Sequence, residues 1–539
     1  MAQQRPTSTE PGLIEKQLEK PAKPKAAPPL AIPETETPAP PPGAADIRFV
    51  LKGIKLFGNT VYRDEDLLPL WGRFLDKEVS LTDIFSVAVA LTVKYRNDGY
   101  ILSRALVPPQ EIVDGVVEIE VIEGFIDNVI IEGEPTGPIA QFKEKAEKIK
   151  ASRPLRANVL ERYMLLVNDM PGVSGQSILR PSPTEPGASE LIIVLEESKV
   201  TGSVLVNNRG TRYVGPYQGV ATLTLDNVFG RYESTEIRAV GTQDTEELRF
   251  LALTHTELLS TEGTTVSLTG SFARTEPGST LKSSRVKGTS TSFGAFVSYP
   301  AIRTRSLNLS LVGALQYRNS RTKVLGVEDS HDRLRMASIG GTLDFVDGLR
   351  GINLIGLQAT QGLNILGARK GGSANLTRSD GRSDFTKFTA NISREQPLAS
   401  GVSLFAAASG QYALSQLLAS EEYGFGGGSF GRGYDPFEIS GDHGASFKLE
   451  IQYGAASETE LVESYQLFAS WDLGTVWRID KDRDPRDSAA SVAIGARANL
   501  AFDMSGSVTM AYPLTRPPTT DRDDLNRQVR LFFQLTKRF

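Results

Sequence analysis

The side chains from which active sites are most often built are scarce here and scattered. The chain of 539 residues has no cysteine and only three histidines, His255, His331 and His443, each isolated in sequence. Without cysteine there is no disulfide, no thiolate metal site and no cysteine nucleophile, a composition that suits an oxidising compartment. A zinc triad or a Ser-His-Asp site would have to be assembled from distant segments, because no histidine sits in a recognisable motif. Gly426-Gly427-Gly428 makes a flexible loop but lacks the lysine that phosphate binding requires. The expected catalytic, cofactor-binding and metal-ligating sets are therefore all empty, and the chain is not expected to be an enzyme.

Other partners are narrowed by charge and hydropathy. A formal net charge of −5, a pI near 5.6 and the lack of a basic stripe argue against nucleic acid. Mean hydropathy is −0.20. The most apolar stretch, Ile84 to Val93, covers about ten residues, against the roughly 20 of a spanning helix. A membrane protein without spanning helices must be a closed β-barrel, since lipid leaves no other way to satisfy the backbone. The last residues fit one. Val529, Leu531, Phe533 and Leu535 alternate with Gln528, Arg530, Gln534 and Thr536 before the terminal Phe539. A period of two with one oily and one mostly polar face describes a strand between hydrocarbon and water, and an aromatic end to it is expected of a closing barrel strand.

The elements before it carry the same signal. From Val200 onward helix patterns largely vanish. Tyr217, Gly219, Ala221, Leu223 and Leu225 alternate with Gln218, Thr222, Thr224 and Asp226, and Leu307, Leu309, Leu311, Leu315 and Tyr317 alternate with Asn308, Ser310, Gln316 and Arg318. A soluble sandwich would show the same alternation. Length separates the two: roughly 340 residues in strands of about ten gives on the order of 16 strands, a water-holding barrel. The expected fold is mainly β, with this barrel over 200–539.

Residues 46–124 and 125–199 each read β-α-α-β-β, an internal repeat of small sheets with helices on one face and an exposed strand edge. In the first, Ile47 to Phe57 is expected as a strand and Asp64 to Phe74 as a helix. Ser80-Leu81-Thr82-Asp83 then opens a helix with Ile84, Ala88, Leu91 and Tyr95 on one face. In the second, Val129-Ile130-Ile131 is a strand, Ile139 to Ala151 a helix, and Asn158 to Val167 a helix with Leu160, Met164 and Val167 inward. Ahead of both, residues 1–20 hold a short helix with Leu13, Ile14, Gln17 and Leu18 on one stripe and Glu15, Lys16, Glu19 and Lys20 elsewhere. A Pro-rich linker follows over 21–45. Met1 to Pro11 has no apolar leader segment; for an exported barrel, the expectation is that a start methionine replaces the native leader.

Several segments resemble a known family. Gly99-Tyr100-Ile101, Pro108-Pro109-Gln110 and Val117-Glu118-Ile119-Glu120-Val121-Ile122-Glu123-Gly124 resemble the first POTRA domain of two-partner secretion transporters. Met164 to Val173 resembles the second. Asn207-Asn208-Arg209-Gly210 and Leu225-Asp226-Asn227 resemble the opening barrel strands. Gly431-Arg432-Gly433-Tyr434 resembles the tip of the long sixth loop, here around 420–445, and Phe468-Ala469-Ser470-Trp471-Asp472-Leu473-Gly474 resembles the inner-wall strand that receives it.

The resemblance implies an outer-membrane translocator that captures a secreted β-helical exoprotein (an adhesin, cytolysin or growth inhibitor) through periplasmic POTRA domains. Export would then run unfolded, without ATP, through a plugged pore. By the same resemblance Arg432 pairs with Asp472, with Phe468 and Gly474 completing the wall motif, and Leu13, Ile14, Gln17 and Leu18 belong to the plug. Val129, Ile131, Leu160 and Met164 are the expected substrate groove. Phe533, Leu535 and Phe539 are the expected signal for the barrel-assembly machinery. The expected partners are the exoprotein, outer-membrane lipid and that machinery, with the transporter a monomer. The rival readings are a related factor that inserts other barrels, a passive porin, and an enzymatic barrel.

Overall fold

The computed structural model describes residues 9–18, 23–26, 39–479, 484–519 and 527–539. Most of the Pro-rich linker and the first eight residues lie outside the described residues. The chain divides into two compact units, Pro29–Glu197 and a second formed by Met1–Pro28 with Ser198–Phe539.

The first unit contains two consecutive α+β modules. In module one, Val116–Ile122 lies at the centre of a three-stranded sheet, parallel to Gly53–Phe57 and antiparallel to Arg104–Leu106. Helix Leu81–Asn97 covers it with Ile84, Val87, Ala88, Leu91 and Tyr95. Its start is fixed by a reciprocal cap: Ser80 N–H donates to Asp83 Oδ2 (2.8 Å) and Asp83 N–H to Ser80 Oγ (3.3 Å). The carboxylate of Glu123 ties the module together. It accepts from Thr60 N (2.7 Å), Val61 N (2.9 Å) and the Tyr95 hydroxyl (2.7 Å), as well as from Thr60 Oγ1. Burial pushes the Glu123 pKa up, but these donors more than offset it and hold the group below its ordinary value.

Two expectations need correction here. The helix expected over Asp64 to Phe74 is a single turn, Asp64–Leu67, followed by 3-10 turns at Leu68–Leu70 and Gly72–Phe74. Pro69 has no N–H to donate and breaks the α-helical ladder. The strand expected over Ile47 to Phe57 is two strands, Arg48–Val50 and Gly53–Phe57; the first pairs with Glu78–Ser80 in a small sheet of its own.

Module two orders its sheet as Phe125–Glu132, Ala188–Glu197, Val173–Pro181, so the outer two strands are both edges. Helices Ala140–Lys150 and Ala157–Asn168 accompany it.

Sixteen described strands close the barrel, in sequence order and antiparallel throughout. Val200–Asn207 is the first, and Arg530–Arg538 is the last and pairs back onto it. The alternation read from sequence is resolved as a polar lumen and an apolar exterior: Leu251, Leu253, Leu268 and Phe272 stand exposed outside, while Arg318, Lys387, Glu450 and Asp472 are buried inside. Closure leaves no unpaired strand edge facing lipid. Strand length is less uniform than ten residues. Lys287–Arg303, Leu307–Val324 and Val327–Val346 run to 17, 18 and 20 residues. Turns such as 304–306 and 347–351 mark one rim, and loops such as 363–385 and 414–442 the other.

The carboxy-terminus is locked to the first strand. Gly202 N–H donates to Phe539 O (2.7 Å) and Phe539 N–H to Gly202 O (3.0 Å). The Phe539 ring lies over Gly202, where a Cβ would come within 2.4 Å of it. Phe533 and Leu535 point outward and are exposed.

Candidate functional site

The lumen is occupied by two segments, each positioned by a different kind of contact. One is the helix Pro11–Gln17. Leu13, Ile14 and Leu18 are buried, the last two in a cluster with Tyr213, Val214, Val240, Leu248 and Phe250. Gln17 is exposed and Glu15 is buried, the reverse of the expected stripe. The reason is the medium: the wall against this helix is a polar lumen, so a carboxylate finds donors there. Ser290 Oγ (2.9 Å), Ser292 Oγ (2.8 Å) and Ser271 Oγ all donate to Glu15, and Arg318 lies 3.6 Å from it. Arg238 donates to Leu18 O at the helix end. Gly12 permits close approach, since a Cβ there would meet Ser420 Cβ at 2.7 Å and Ser320 Oγ at 2.9 Å. Beyond the helix, Lys25 and Ala26 donate backbone N–H groups to Asp344 (3.0 and 2.6 Å), next to the short-turn rim.

The second segment is the loop 414–442. Its tip sits against strands His443–Ala456, Val462–Trp477, Arg486–Leu500, Met504–Pro513 and Arg530–Arg538. Arg432, expected opposite Asp472, makes its side-chain ion pair with Glu450 instead (2.5 Å) and donates to Ser470 Oγ (2.8 Å). Asp472 accepts the backbone N–H of Arg432 (3.2 Å). Glu450 also binds Arg497 (2.8 Å), and the two guanidiniums flank the Phe468 ring at 5.0 and 4.1 Å. Gly433 donates to Ser491 Oγ (3.2 Å), and a Cβ on it would meet Ser491, Pro513 and Tyr512 at 2.9 to 3.1 Å. The buried Tyr434 hydroxyl donates to Ala490 O (3.0 Å). Arg530 on the closing strand pairs with Asp435 (2.6 Å).

Sequence reasoning missed three participants. Glu450 lies on an alternating strand whose inward positions, Lys448, Glu450 and Gln452, are all polar, so pattern alone does not select it. Phe425 fills the space that Gly474 leaves open; a Cβ at Gly474 would lie 2.1 Å from the ring. Asp442, fully buried at the loop's base, is gripped by Arg378 through two bonds of 2.6 and 3.0 Å. None of the three belongs to a motif.

The helix and the loop also touch each other. Arg318, which faces Glu15, donates to Glu421 of the loop (2.8 Å), and Lys387 binds the same carboxylate (2.7 Å). Lys16 of the helix donates to Glu422 O (3.1 Å).

With this geometry in place, similarity to known proteins decides the family. Residues 187–498 match the haemolysin secretion/activation proteins ShlB/FhaC/HecB, and residues 49–124 match the ShlB-type POTRA domain. The chain belongs to the ShlB/FhaC/HecB family. It is 24% identical over 483 residues to the heme/hemopexin transporter protein HuxB of Haemophilus influenzae strain Rd, covering 87% of this chain and 84% of that one. It is 26% identical over 537 residues to the outer membrane transporter CdiB of Escherichia coli strain 536, covering 95% and 86%. Among solved structures it resembles CdiB from Escherichia coli, with a TM-score of 0.74 at 22% identity over 95% of this chain and 94% of that one. CdiB from Acinetobacter baumannii follows at 0.63 and 17%, over 98% and 96%. The protein is thus a two-partner secretion transporter of the outer membrane, a barrel preceded by POTRA domains.

The expected substrate groove of this transporter divides. Val129 and Ile131 are half-buried on the edge strand Phe125–Glu132. Leu160 and Met164 are buried on the inner face of helix Ala157–Asn168. The Met164 methyl would lie 3.8 Å from a Cβ at Gly175, so it packs against the sheet as core. A module of this size needs those apolar groups inside. Ile178 on the other edge strand, unflagged by sequence, is exposed.

Proposed function

We propose that the POTRA modules capture an unfolded exoprotein in the periplasm and that export proceeds once the helix Pro11–Gln17 leaves the lumen while the tip of loop 414–442 stays seated. The observation that carries this is the contrast of the two seats. The seven-residue helix rests on a small apolar patch around Ile14 and Leu18 and on the serine hydroxyls and Arg318 that face Glu15, whereas the tip is wedged at Gly433 and Gly474 among five strands and ties Arg432 to the buried Glu450. The similarity to a heme/hemopexin transporter and to an outer membrane transporter supports a secreted cargo. Capture uses strand addition at the open edge Phe125–Glu132, where unpaired backbone groups give affinity and Val129 and Ile131 offer apolar contacts. No energy source is required in the barrel itself; folding of the cargo outside supplies direction. Phe539, locked to Gly202, serves earlier as the signal for barrel assembly.

Single-channel conductance in planar bilayers tests the reading, comparing the full chain with one lacking residues 1–45. Small, flickering conductance that grows on deletion is expected. Equal conductance from both forms would remove the plug from the mechanism.

A further inference from the structure

The outer wall carries a feature that export does not use. Elsewhere on the belt large residues such as Leu467, Ile494, Val508 and Met510 stand exposed. Between strands Leu307–Val324 and His443–Ala456, by contrast, large and small residues pair across the sheet. Leu311 faces Gly341, Gly341 faces Leu357, and Leu357 faces Ala390, which faces Gly410. In the next row Ile339 faces Ala359, Ala359 faces Phe388, and Phe388 faces Tyr412. The result is an outward groove of about 720 Å³ whose lining includes Gly341, Ala359, Ala390 and Gly410 at its small positions, with Ile339 and Phe388 standing above them. Ile339 is 72% exposed.

The same strand carries positive charge toward the long-loop rim. Alternation from Ile339 puts Arg333 and His331 on the outward face. Arg333 Nε donates to His331 Nε2 (3.2 Å), and Arg369 Nη1 donates to His331 O (3.0 Å). Arg321 beside them is paired with Glu328. Among the described residues no carboxylate forms an ion pair with Arg333 or Arg369. Ile365 and Leu366 are exposed on the adjoining loop, and Leu366 O accepts from Arg335 (3.1 Å). From Ile339 to Arg333 the strand rises about 20 Å. At the strand tilt of roughly 40° that barrels carry, this is about 15 Å along the membrane normal, half of the roughly 30 Å hydrocarbon core.

We propose that this wall binds one lipid with a net-anionic phosphomonoester headgroup, with an acyl chain in the groove and the phosphate between Arg333 and Arg369. A recessed floor gives the chain dispersion contacts on three sides, which a flat belt cannot. Two guanidiniums that form no ion pair within the described residues still have N–H groups to offer a phosphate in charge-assisted bonds. Bulk lipid around the barrel has one or neither.

The test is native mass spectrometry of the full chain in dodecyl maltoside, titrated with lipid A, a phosphorylated glycolipid. Its deacylated headgroup and phosphatidylcholine are the comparison ligands. One retained lipid A per barrel is expected, with neither comparison ligand retained. The double variant Arg333→Gln, Arg369→Gln and the groove-filling Ala390→Leu should each weaken retention by roughly tenfold. Heat-modifiable gel mobility reports whether each barrel is folded. Arg333 is exposed, so the charge variant decides the matter even if Ala390→Leu does not fold. Equal retention of phosphatidylcholine, headgroup binding as tight as lipid A, or lipid A retention unchanged in the charge variant would each overturn the site.

Discussion

The loop tip and the amino-terminal helix share one lumen but differ in how they are seated. Around the tip, Gly433 and Gly474 let backbone and the Phe425 ring come closer than any Cβ would allow, and the buried Arg432, Glu450 and Phe468 form one cluster that the half-exposed Arg497 completes. Around the helix, three serine hydroxyls and the Arg318 guanidinium, 3.6 Å away, hold Glu15, and Ile14 and Leu18 pack on a small apolar patch. Water can replace serine hydroxyls at little cost, but it cannot replace a close-packed ring or a carboxylate shared by two guanidiniums.

The largest effect should come from breaking the permanent seat. Arg432→Ala strands part of a buried network, a change costing about 3 kcal/mol where one partner of a buried pair is lost, although Arg497 still neutralises Glu450. Export of the cognate exoprotein should fall at least roughly tenfold, with the barrel still inserted and heat-modifiable. Normal secretion by this variant would show that the tip does not govern transport. Asp472→Ala, which removes the acceptor of the Arg432 backbone N–H and a negative charge near Lys448 but leaves the Arg432–Glu450 pair, should be milder; an equal or larger defect would restore Asp472 as the principal partner.

Next comes the removable seat. Glu15→Ala deletes the acceptor of three hydroxyls, and with it about 2 kcal/mol of docking. Open-state occupancy in planar bilayers should rise roughly tenfold to thirtyfold. Gly12→Val should act the same way through a clash with Ser420. Unchanged gating in both variants would mean that the polar wall does not hold the helix.

How far these seats could be read from sequence follows from the same contrast. The barrel was legible because lipid imposes a strict alternation on every strand, down to Leu531, Phe533 and Leu535. The Ser80–Asp83 cap was legible because it is local. The helix stripe held at Leu13, Ile14 and Leu18 but was misread at Gln17 and Glu15, since an apolar-stripe rule assumes an oily partner throughout and the Glu15 face of this helix meets hydroxyls. Arg432 was found through resemblance, but its side-chain partner was not. Which of several inward polar residues on neighbouring strands meets a guanidinium depends on register and loop path, and no single segment encodes either. The break at Pro69 was legible in principle, as proline's missing N–H speaks against a continuous helix from Asp64 to Phe74.

A smaller effect separates capture from both lumen seats. Ile131→Asp on the open edge of the second POTRA module should lower secretion several-fold, while conductance and its response to deletion of residues 1–45 stay unchanged. Altered conductance would tie the edge to the gate and blur the division of labour between the two units.

The mildest perturbation is acid acting on the first POTRA module alone. Glu123 carries a folded-state pKa below its ordinary 4.5 because Thr60, Val61 and Tyr95 donate to its charged form. Its contribution is therefore fully present above the ordinary value and is lost as pH falls through the folded one. Urea denaturation of the fragment 39–197 should show a midpoint that declines below about pH 4.5. In Glu123→Gln that decline should be reduced, and stability at pH 7 should be lower by about 1–2 kcal/mol. The lumen seats use none of these groups, so the same variant in the full chain should leave plug gating as it was. A gating change without a loss of POTRA stability would contradict the independence of the seats from the modules that feed them.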